Sequence, residues 1–193
     1  ENGVEVNSGR MNLGVVTVNL PRIALESEGD LNKFWEIFNE RMNIAEDALV
    51  YRVERTKEAT PANAPILYQY GAFGRRLGKE ESVDQLFKNR RATVSLGYIG
   101  LYEVATVFFG NSWESNPEAK EFTLDIIRDM KRRVEEWSDQ YGYHFSIYST
   151  PSESLTDRFC RLDTEKFGSI PDITDKEYYT NSFHYDVRKN PTP

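Results

Sequence analysis

Short apolar runs alternate along this chain with much longer segments whose apolar residues recur every three or four positions, and this alternation limits the fold more than any other feature. The runs at 13–20, 92–98 and 144–149 are rich in β-branched residues, which favours strands buried on both faces. The segments 30–57 and 117–141 carry their apolar residues on one helical face. Strands alternating with helices predict an α/β fold, with the three strands as neighbours in a largely parallel sheet and the two long helices packed outside it.

Individual residues predict where several elements begin and end. Asp30 precedes the first long helix and is expected to cap it, and Gly142 is expected to end the second. The segment 95–100 lacks the Gly-Lys-Ser/Thr ending of a P-loop, so it predicts a tight turn between a strand and a helix. The aromatic segment 178–183 predicts a further strand near the end of the chain.

The chain has 193 residues, enough for one ordinary domain, and its 39% apolar content can fill a core. A net charge of −7 gives no global basic surface, so we expect no nucleic acid polymer as a partner, although one phosphate group needs only a local site. The longest apolar runs are far shorter than the ~20 residues that span a bilayer, so we expect no membrane association. The chain does not start with Met and ends in a linker-like sequence, and we interpret it as an excised piece of a longer protein.

The sequence contains one cysteine, Cys160, and two distant histidines, His144 and His184. An internal disulfide and a cysteine-based zinc site are therefore excluded, and we expect no metal in this chain. Cys160 lies in an amphipathic segment and is expected to be a buried structural residue. Such low cysteine use is typical of a reducing compartment, which favours a cytoplasmic location.

The segment Tyr148–Ser154 is the strongest local candidate for a binding site, because a strand turns there into a helix. Free backbone N–H groups and the helix dipole favour an anion at such a place. Hydroxyl side chains recur there at Ser149, Thr150, Ser152 and Ser154. The competing interpretation is a plain capping box, since Thr150 and Glu153 have its spacing and Pro151 would take the first helical position. The charge of Glu153 also opposes an anion unless its side chain faces away.

Asparagines flank the first strand at Asn7, Asn12 and Asn19. An amide at a strand end can hold a sugar hydroxyl, because it both donates and accepts hydrogen bonds. Ordinary turn chemistry is the competing interpretation, and spacing alone favours it.

Four blocks of the chain resemble, in the same order, segments of the anaerobic (class III) ribonucleoside-triphosphate reductases, which are glycyl radical enzymes. The blocks are Arg10–Ala24, Ser95–Glu103, Tyr148–Cys160 and Tyr179–His184. The resemblance extends over essentially all 193 residues, and four ordered blocks are far more specific than any single spacing.

The resemblance implies a fold and an activity. The family fold is a ten-stranded α/β barrel, so residues 1–193 would form a single segment of the barrel domain, a half-barrel with largely parallel strands and outer helices. The N-terminal regulatory part and the C-terminal radical and zinc part would be absent. The family is an oxidoreductase that converts ribonucleoside triphosphates to 2′-deoxyribonucleoside triphosphates, and nucleotides regulate it allosterically.

The resemblance also implies cofactors and partners that this chain does not itself contain. An activating protein with an iron–sulfur cluster and S-adenosylmethionine installs the glycyl radical, formate is the usual reductant, and the enzyme is a homodimer. The structural zinc site and radical glycine would follow Pro193, and the thiyl cysteine would precede Glu1. Cys160 matches neither reactive cysteine of the family, so we expect the segment alone to be inactive.

The resemblance also implies roles for individual residues of this chain. Asn12 matches the asparagine that contacts the substrate ribose beside the thiyl cysteine, and it is the catalytic candidate. The strand–turn–helix segment matches the one that cradles substrate phosphates, with candidate ligands at Ser149, Thr150, Ser152, Glu153 and Ser154. Two alternatives stay open: a non-catalytic α/β nucleotide-binding domain on the same scaffold, and another glycyl radical enzyme acting on a small acid or diol.

Overall fold

The fold is α/β, as the sequence predicts. The computed structural model describes residues 10–88, 90–151 and 154–189. Strands β1 (Met11–Asn19), β2 (Ala92–Ile99) and β3 (His144–Ser149) form one parallel sheet, with β2 between the other two. The prediction that these three runs are neighbours in one sheet is therefore confirmed.

The helices that precede and follow these strands along the chain include both predicted long ones. Within the described residues they are α1 (Leu20–Glu26), α2 (Leu31–Lys57), α3 (Pro65–Tyr68), α4 (Leu101–Phe109), α5 (Pro117–Tyr141) and α6 (Ser154–Phe167). Asp30 caps α2 as predicted, since its Oδ1 accepts from the backbone N–H groups of Asn32 at 2.8 Å and Lys33 at 3.2 Å. Gly142 follows α5 with a φ of +71°, the predicted left-handed stop. No helix in the described ranges is long and apolar enough to cross a lipid bilayer.

Burial differs among the three strands. The central strand β2 is buried along almost its whole length, whereas β1 is mostly half-buried and β3 becomes exposed at Tyr148 and Ser149. The expectation of strands buried on both faces therefore holds for β2 only. Among the described residues, each of the two outer strands is paired along one edge only, which explains their greater exposure.

The described residues form two compact units, and the first takes those within 10–16, 45–96 and 131–147. Its buried apolar residues include Leu49, Val53, Val83, Phe87, Val94, Leu96, Val134, Trp137 and Phe145. In this unit Tyr141 of α5 donates a hydrogen bond to the Glu46 carboxylate of α2 at 2.8 Å. The hydroxyl of Tyr143 donates to Asp84 at 2.6 Å.

The second unit takes the described residues within 17–44, 97–130 and 148–189. An aromatic cluster joins three of its helical segments: the Phe34 ring of α2 lies 5.5 Å from that of Phe108 in α4 and 5.2 Å from that of Phe122 in α5. Edge-to-face pairs of this kind add to the stabilisation from burial. A second buried cluster packs Cys160 of α6 against Tyr179 of the tail.

The predicted strand at 178–183 is wrong. This segment makes only one antiparallel bridge, between Asn181 and Ile99. Two residues with positive φ lie at its ends, Glu177 at +63° and Ser182 at +38°, and they interrupt any extended run. Tyr179, Thr180 and Ser182 are nevertheless buried, and the backbone N–H of Gly100 donates to the Thr180 carbonyl at 3.0 Å.

Gly100 forms the predicted tight turn between β2 and α4, with a φ of +82°. A Cβ at this position would lie 2.2 Å from Cγ of Pro21, so a larger residue adds a steric clash to the backbone strain. We expect Gly100→Ala to lower the free energy of unfolding by about 2–4 kcal/mol.

The matched control for this prediction is Gly29→Ala. Gly29 has a φ of +85°, but no atom lies within 4 Å of the position that a Cβ would take there. Gly29→Ala should therefore lower the free energy of unfolding by only about 1 kcal/mol, the cost of a left-handed backbone at a residue with a Cβ. Thermal unfolding of both variants measures the difference, and equal losses would show that the contact with Pro21 costs nothing.

Candidate functional site

Two pairs of hydroxyl groups lie where the three parallel strands end, within the second unit. The Tyr98 hydroxyl of β2 is 3.4 Å from Oγ of Ser149, the last residue of β3. The Oγ1 atom of Thr17 in β1 is 3.3 Å from Oγ1 of Thr150. Ligands of α/β folds bind at the carboxyl ends of such strands. Two predicted phosphate ligands, Ser149 and Thr150, are thus joined by Thr17 and Tyr98, which sequence reasoning missed.

The two residues of each pair differ in how deeply they are buried. Tyr98 and Thr150 are buried, at 3% and 4% exposure, whereas Ser149 is exposed. Burial raises the pKa of Tyr98, although its hydrogen bond with Ser149 acts in the opposite direction. The phenol therefore keeps its proton at neutral pH. Each pair shares one hydrogen bond, so with respect to the described residues one O–H of each pair can still donate to a third group.

The start of the helix after this turn is only partly described. α6 runs from Ser154 within the described residues, and neither Thr150 nor Pro151 is helical, so the prediction that Pro151 takes the first helical position is wrong. The bonds of the predicted capping box depend on Glu153, so this interpretation stays a prediction. The Thr150 hydroxyl contacts that of Thr17. Ser154 is exposed at the start of a 14-residue helix, where unbonded N–H groups favour an anion. The predicted ligands Ser152 and Glu153 lie outside the described residues.

Asn12 belongs to the first unit, near the start of β1, and its side chain is exposed. Its Oδ1 accepts from the backbone N–H of Gly14 at 2.9 Å, and its Nδ2 donates to Oγ of Ser95 at 3.5 Å. These contacts fix the orientation of the amide, and among the described residues they use one of its N–H groups and one of its lone pairs, so one of each remains for a ligand. Gly14 has a φ of +146°, and the Arg52 side chain occupies the space where a Cβ would be.

Asn19 serves local structure, as the turn interpretation predicted. It caps α1, since its Oδ1 accepts from the backbone N–H of Arg22 at 3.1 Å. Its Nδ2 donates at 3.0 Å to Asp163, a fully buried carboxylate that also pairs with Arg22. The Tyr179 hydroxyl donates to the same carboxylate at 2.7 Å. Burial and Asp163 together raise the pKa of Tyr179 far above its ordinary value. Asn7 lies outside the described residues.

A buried ionic network was not predicted from the sequence. The Lys176 ammonium lies 2.5 Å from the Glu103 carboxylate and 3.3 Å from that of Asp186, and all three side chains are fully buried. Glu103 also accepts from the backbone N–H and the hydroxyl of Thr180, at 2.9 Å and 2.7 Å. Burial raises the pKa of Asp186, but hydrogen bonds from Arg188 and the charge of Lys176 outweigh it and lower the pKa to about 2. The network joins the first turn of α4 to the tail of the chain.

The two histidines and the cysteine form no common site. Burial lowers the pKa of His144, and nearby Arg90 and Arg10 lower it further, so its imidazole is neutral at pH 7. His184 stacks on the Phe183 ring, with 4.8 Å between ring centres. Cys160 is a free, buried thiol, as predicted. Within the described ranges, no three His, Cys, Asp or Glu side chains are grouped so as to hold a metal ion.

Comparison with known proteins shows which family this sequence is similar to. The family model described as "Anaerobic ribonucleoside-triphosphate reductase" matches residues 1–193. The protein of that name from Escherichia coli K12 is 48% identical over 194 residues, which cover 100% of this chain and 27% of the relative. The one from Enterobacteria phage T4 is 47% identical over 195 residues, covering 99% of this chain and 31% of the relative. The chain thus spans about a quarter to a third of these relatives.

Solved structures show the same similarity in three dimensions. The anaerobic ribonucleotide reductase from Thermotoga maritima with citrate in the active site matches with a TM-score of 0.68 and 26% identity, over 89% of this chain and 29% of that one. The same enzyme in complex with dATP and CTP matches with a TM-score of 0.65 and 26% identity, over 89% of this chain and 28% of that one.

Proposed function

The chain belongs to the anaerobic ribonucleoside-triphosphate reductase family, and from that membership we propose that it is the part of such an enzyme that holds the substrate. The substrate is a ribonucleoside triphosphate, whose 2′-hydroxyl is replaced by hydrogen. In this proposal the turn from Ser149 to Ser154 binds the phosphates and Asn12 binds the ribose. The family match favours this function over a non-catalytic nucleotide-binding domain and over a glycyl radical enzyme for a small acid or diol.

The observation that carries the phosphate assignment is the set of hydroxyls at the carboxyl ends of all three strands. Ser149 is exposed at the end of β3, and Ser154 is exposed at the first position of α6. Backbone N–H groups at a helix start, together with hydroxyl donors, can bind phosphate oxygens without a cationic side chain. Thr150 is buried, so its contribution is to shape the turn through Thr17.

The ribose assignment is supported by the fixed amide of Asn12. Gly14 and Ser95 hold its Oδ1 and Nδ2 in place, so the amide needs little reorganisation to meet a ribose hydroxyl. A preorganised group of this kind supports turnover more than binding, because it orients the carbon atoms that react. We therefore propose that Asn12 positions the ribose during the reaction.

The radical chemistry is proposed to come from other parts of the protein. A glycyl radical and a cysteine thiyl would supply hydrogen-atom abstraction, with formate as reductant and a radical S-adenosylmethionine protein as activase. The buried thiol of Cys160 does not fit that task, and the described residues include no donor set for the structural zinc. We also propose that the three-stranded sheet is part of a ten-stranded barrel and that the whole enzyme is a homodimer.

Binding of a ribonucleoside triphosphate to the full-length enzyme without its radical tests the phosphate assignment apart from catalysis. We expect the double variant Ser149→Ala, Ser154→Ala to bind the triphosphate with a loss of about 1–3 kcal/mol, or roughly 5- to 160-fold, because two hydrogen bonds to a charged group are removed. Isothermal titration calorimetry measures this change. Affinity for the nucleoside without phosphates should stay the same.

The control is Ser112→Ala, which removes an exposed hydroxyl that makes no cap hydrogen bond at the start of another helical turn in the same unit. It should leave both affinities unchanged. If the double variant keeps its triphosphate affinity and only its melting temperature falls, the turn merely starts a helix and the phosphate assignment is wrong.

A further inference from the structure

We propose that Tyr98 and Thr17 are positioning residues of the phosphate site: each holds a hydroxyl of the turn by a hydrogen bond and so directs the remaining O–H of its pair to the phosphates. The inference rests on the proposed function of the turn. It extends the site from one loop to the ends of all three strands. Neither residue belongs to the turn itself, and each lies on a different strand of the sheet.

Tyr98 is well placed to orient Ser149. Its ring is buried in the central strand, so the hydroxyl has little freedom, and it lies 3.4 Å from the exposed Oγ of Ser149. A phenol is more acidic than an aliphatic alcohol, so the favoured arrangement has Tyr98 donating and Ser149 accepting. The hydrogen of Ser149 then points away from Tyr98. Because hydrogen bonds in a chain polarise one another, this O–H also becomes a better donor to an anion.

Thr17 and Thr150 form the second pair, with their hydroxyl oxygens 3.3 Å apart. Both residues are β-branched and restricted at χ1, so the pair fixes the backbone that leads into the turn. Because Thr150 is buried and Thr17 is half-buried, the arrangement that leaves a hydrogen within reach of a ligand has Thr150 donating and Thr17 accepting.

Both pairs reduce the conformational entropy that the turn loses when it becomes ordered around the phosphates. An isolated exposed serine samples several rotamers, and binding has to select one of them. A hydrogen bond from a neighbouring strand to the serine oxygen fixes one rotamer before the ligand binds. The predicted effect is therefore on affinity for the phosphates, with little effect on the rate of the chemical step.

Tyr98→Phe and Thr17→Val remove one hydroxyl each and nearly preserve the shape of the side chain. In the full-length enzyme without its radical, we expect each variant to bind a ribonucleoside triphosphate about 3- to 10-fold more weakly. Affinity for the nucleoside without phosphates should stay unchanged. In the activated enzyme, KM should rise by a similar factor while kcat stays within about 2-fold of the parent value.

Two variants separate a positioning role from a loss of packing. Thr17→Ser keeps the hydroxyl and loses only a methyl group, so it should retain the parent affinity. Tyr178→Phe is the matched tyrosine control, because it removes a hydroxyl that bonds to Asp186 at 3.4 Å within the same unit. It should leave the affinity for the triphosphate unchanged.

A double-mutant cycle tests whether Tyr98 acts through Ser149. If it does, Tyr98→Phe should have little further effect in a Ser149→Ala background. Fully additive losses would overturn the positioning role. If Ser149→Ala, Ser154→Ala weakens triphosphate binding but Tyr98→Phe and Thr17→Val do not, this inference is wrong and the proposed function stands. If none of these variants weakens binding, both are wrong.

Discussion

Replacing Asn12 by alanine should lower the turnover number of the full-length, anaerobically activated enzyme by about 100-fold. The amide is proposed to orient the ribose carbons that react, and a group with this role contributes mainly to the rate of the chemical step. Triphosphate affinity should change by less than about 3-fold, since the phosphates are proposed to be bound by the turn from Ser149 to Ser154. Rates of deoxyribonucleotide formation, divided by the radical content of each preparation, measure the effect.

Asn111→Ala provides the control for Asn12→Ala. Asn111 is exposed, and its amide bonds to Asp172 at 2.8 Å, so the variant removes a comparable amide from the surface of the chain. Its turnover should equal that of the parent enzyme. An Asn12→Ala enzyme with normal kcat and a raised KM would show that the amide only binds substrate and has no part in orienting it.

The second large effect is expected from Lys176→Met, which leaves Glu103 buried without a cation. Removing one member of a buried ion pair typically costs about 3–5 kcal/mol, because the partner remains charged and uncompensated. The tail should then open far more often from α4. Amide hydrogen exchange in the full-length protein measures this directly, and protection between 170 and 187 should fall by roughly 10²- to 10³-fold.

An exposed lysine supplies the comparison for Lys176. Lys131 pairs with Glu135 at 3.9 Å on the surface of α5, where such pairs contribute less than about 1 kcal/mol. Lys131→Met should leave exchange in its helix nearly unchanged. Combining Lys176→Met with Glu103→Gln should recover part of the loss, because the uncompensated charge disappears. Unchanged protection in Lys176→Met alone would mean that the network does not hold the tail.

The sequence predicted where the strands and long helices lie better than it predicted the contacts that bury individual segments. Strands and long helices follow from apolar periodicity, which is a local property, and the Asp30 cap and Gly142 stop follow from single residues. The segment 178–183 was misjudged because its aromatic residues favour a strand, whereas Glu177 and Ser182 adopt left-handed backbone conformations. Its burial against Gly100 supplies the stabilisation that a ladder of hydrogen bonds would otherwise give.

The candidate site was predicted only where its residues lie in one stretch of sequence. Ser149 and Thr150 were recognised from the turn, but their partners Tyr98 and Thr17 lie on two other strands. No local pattern marks such a partner, since only the pairing of the strands brings the hydroxyls together. The contact between Glu103 and Lys176 was not predicted for the same reason.

The buried thiol of Cys160 has a practical consequence for work on this protein. Burial raises its pKa to about 11, and its Sγ lies 3.6 Å from the Thr174 carbonyl. Near neutral pH it carries roughly 100-fold less thiolate than a cysteine with the ordinary pKa of 9.0, and thiolate is the form that maleimides attack. A cysteine introduced at exposed Ser154 should therefore be the one labelled position in this segment. A fluorophore there would report directly on whether nucleotide phosphates reach the start of α6.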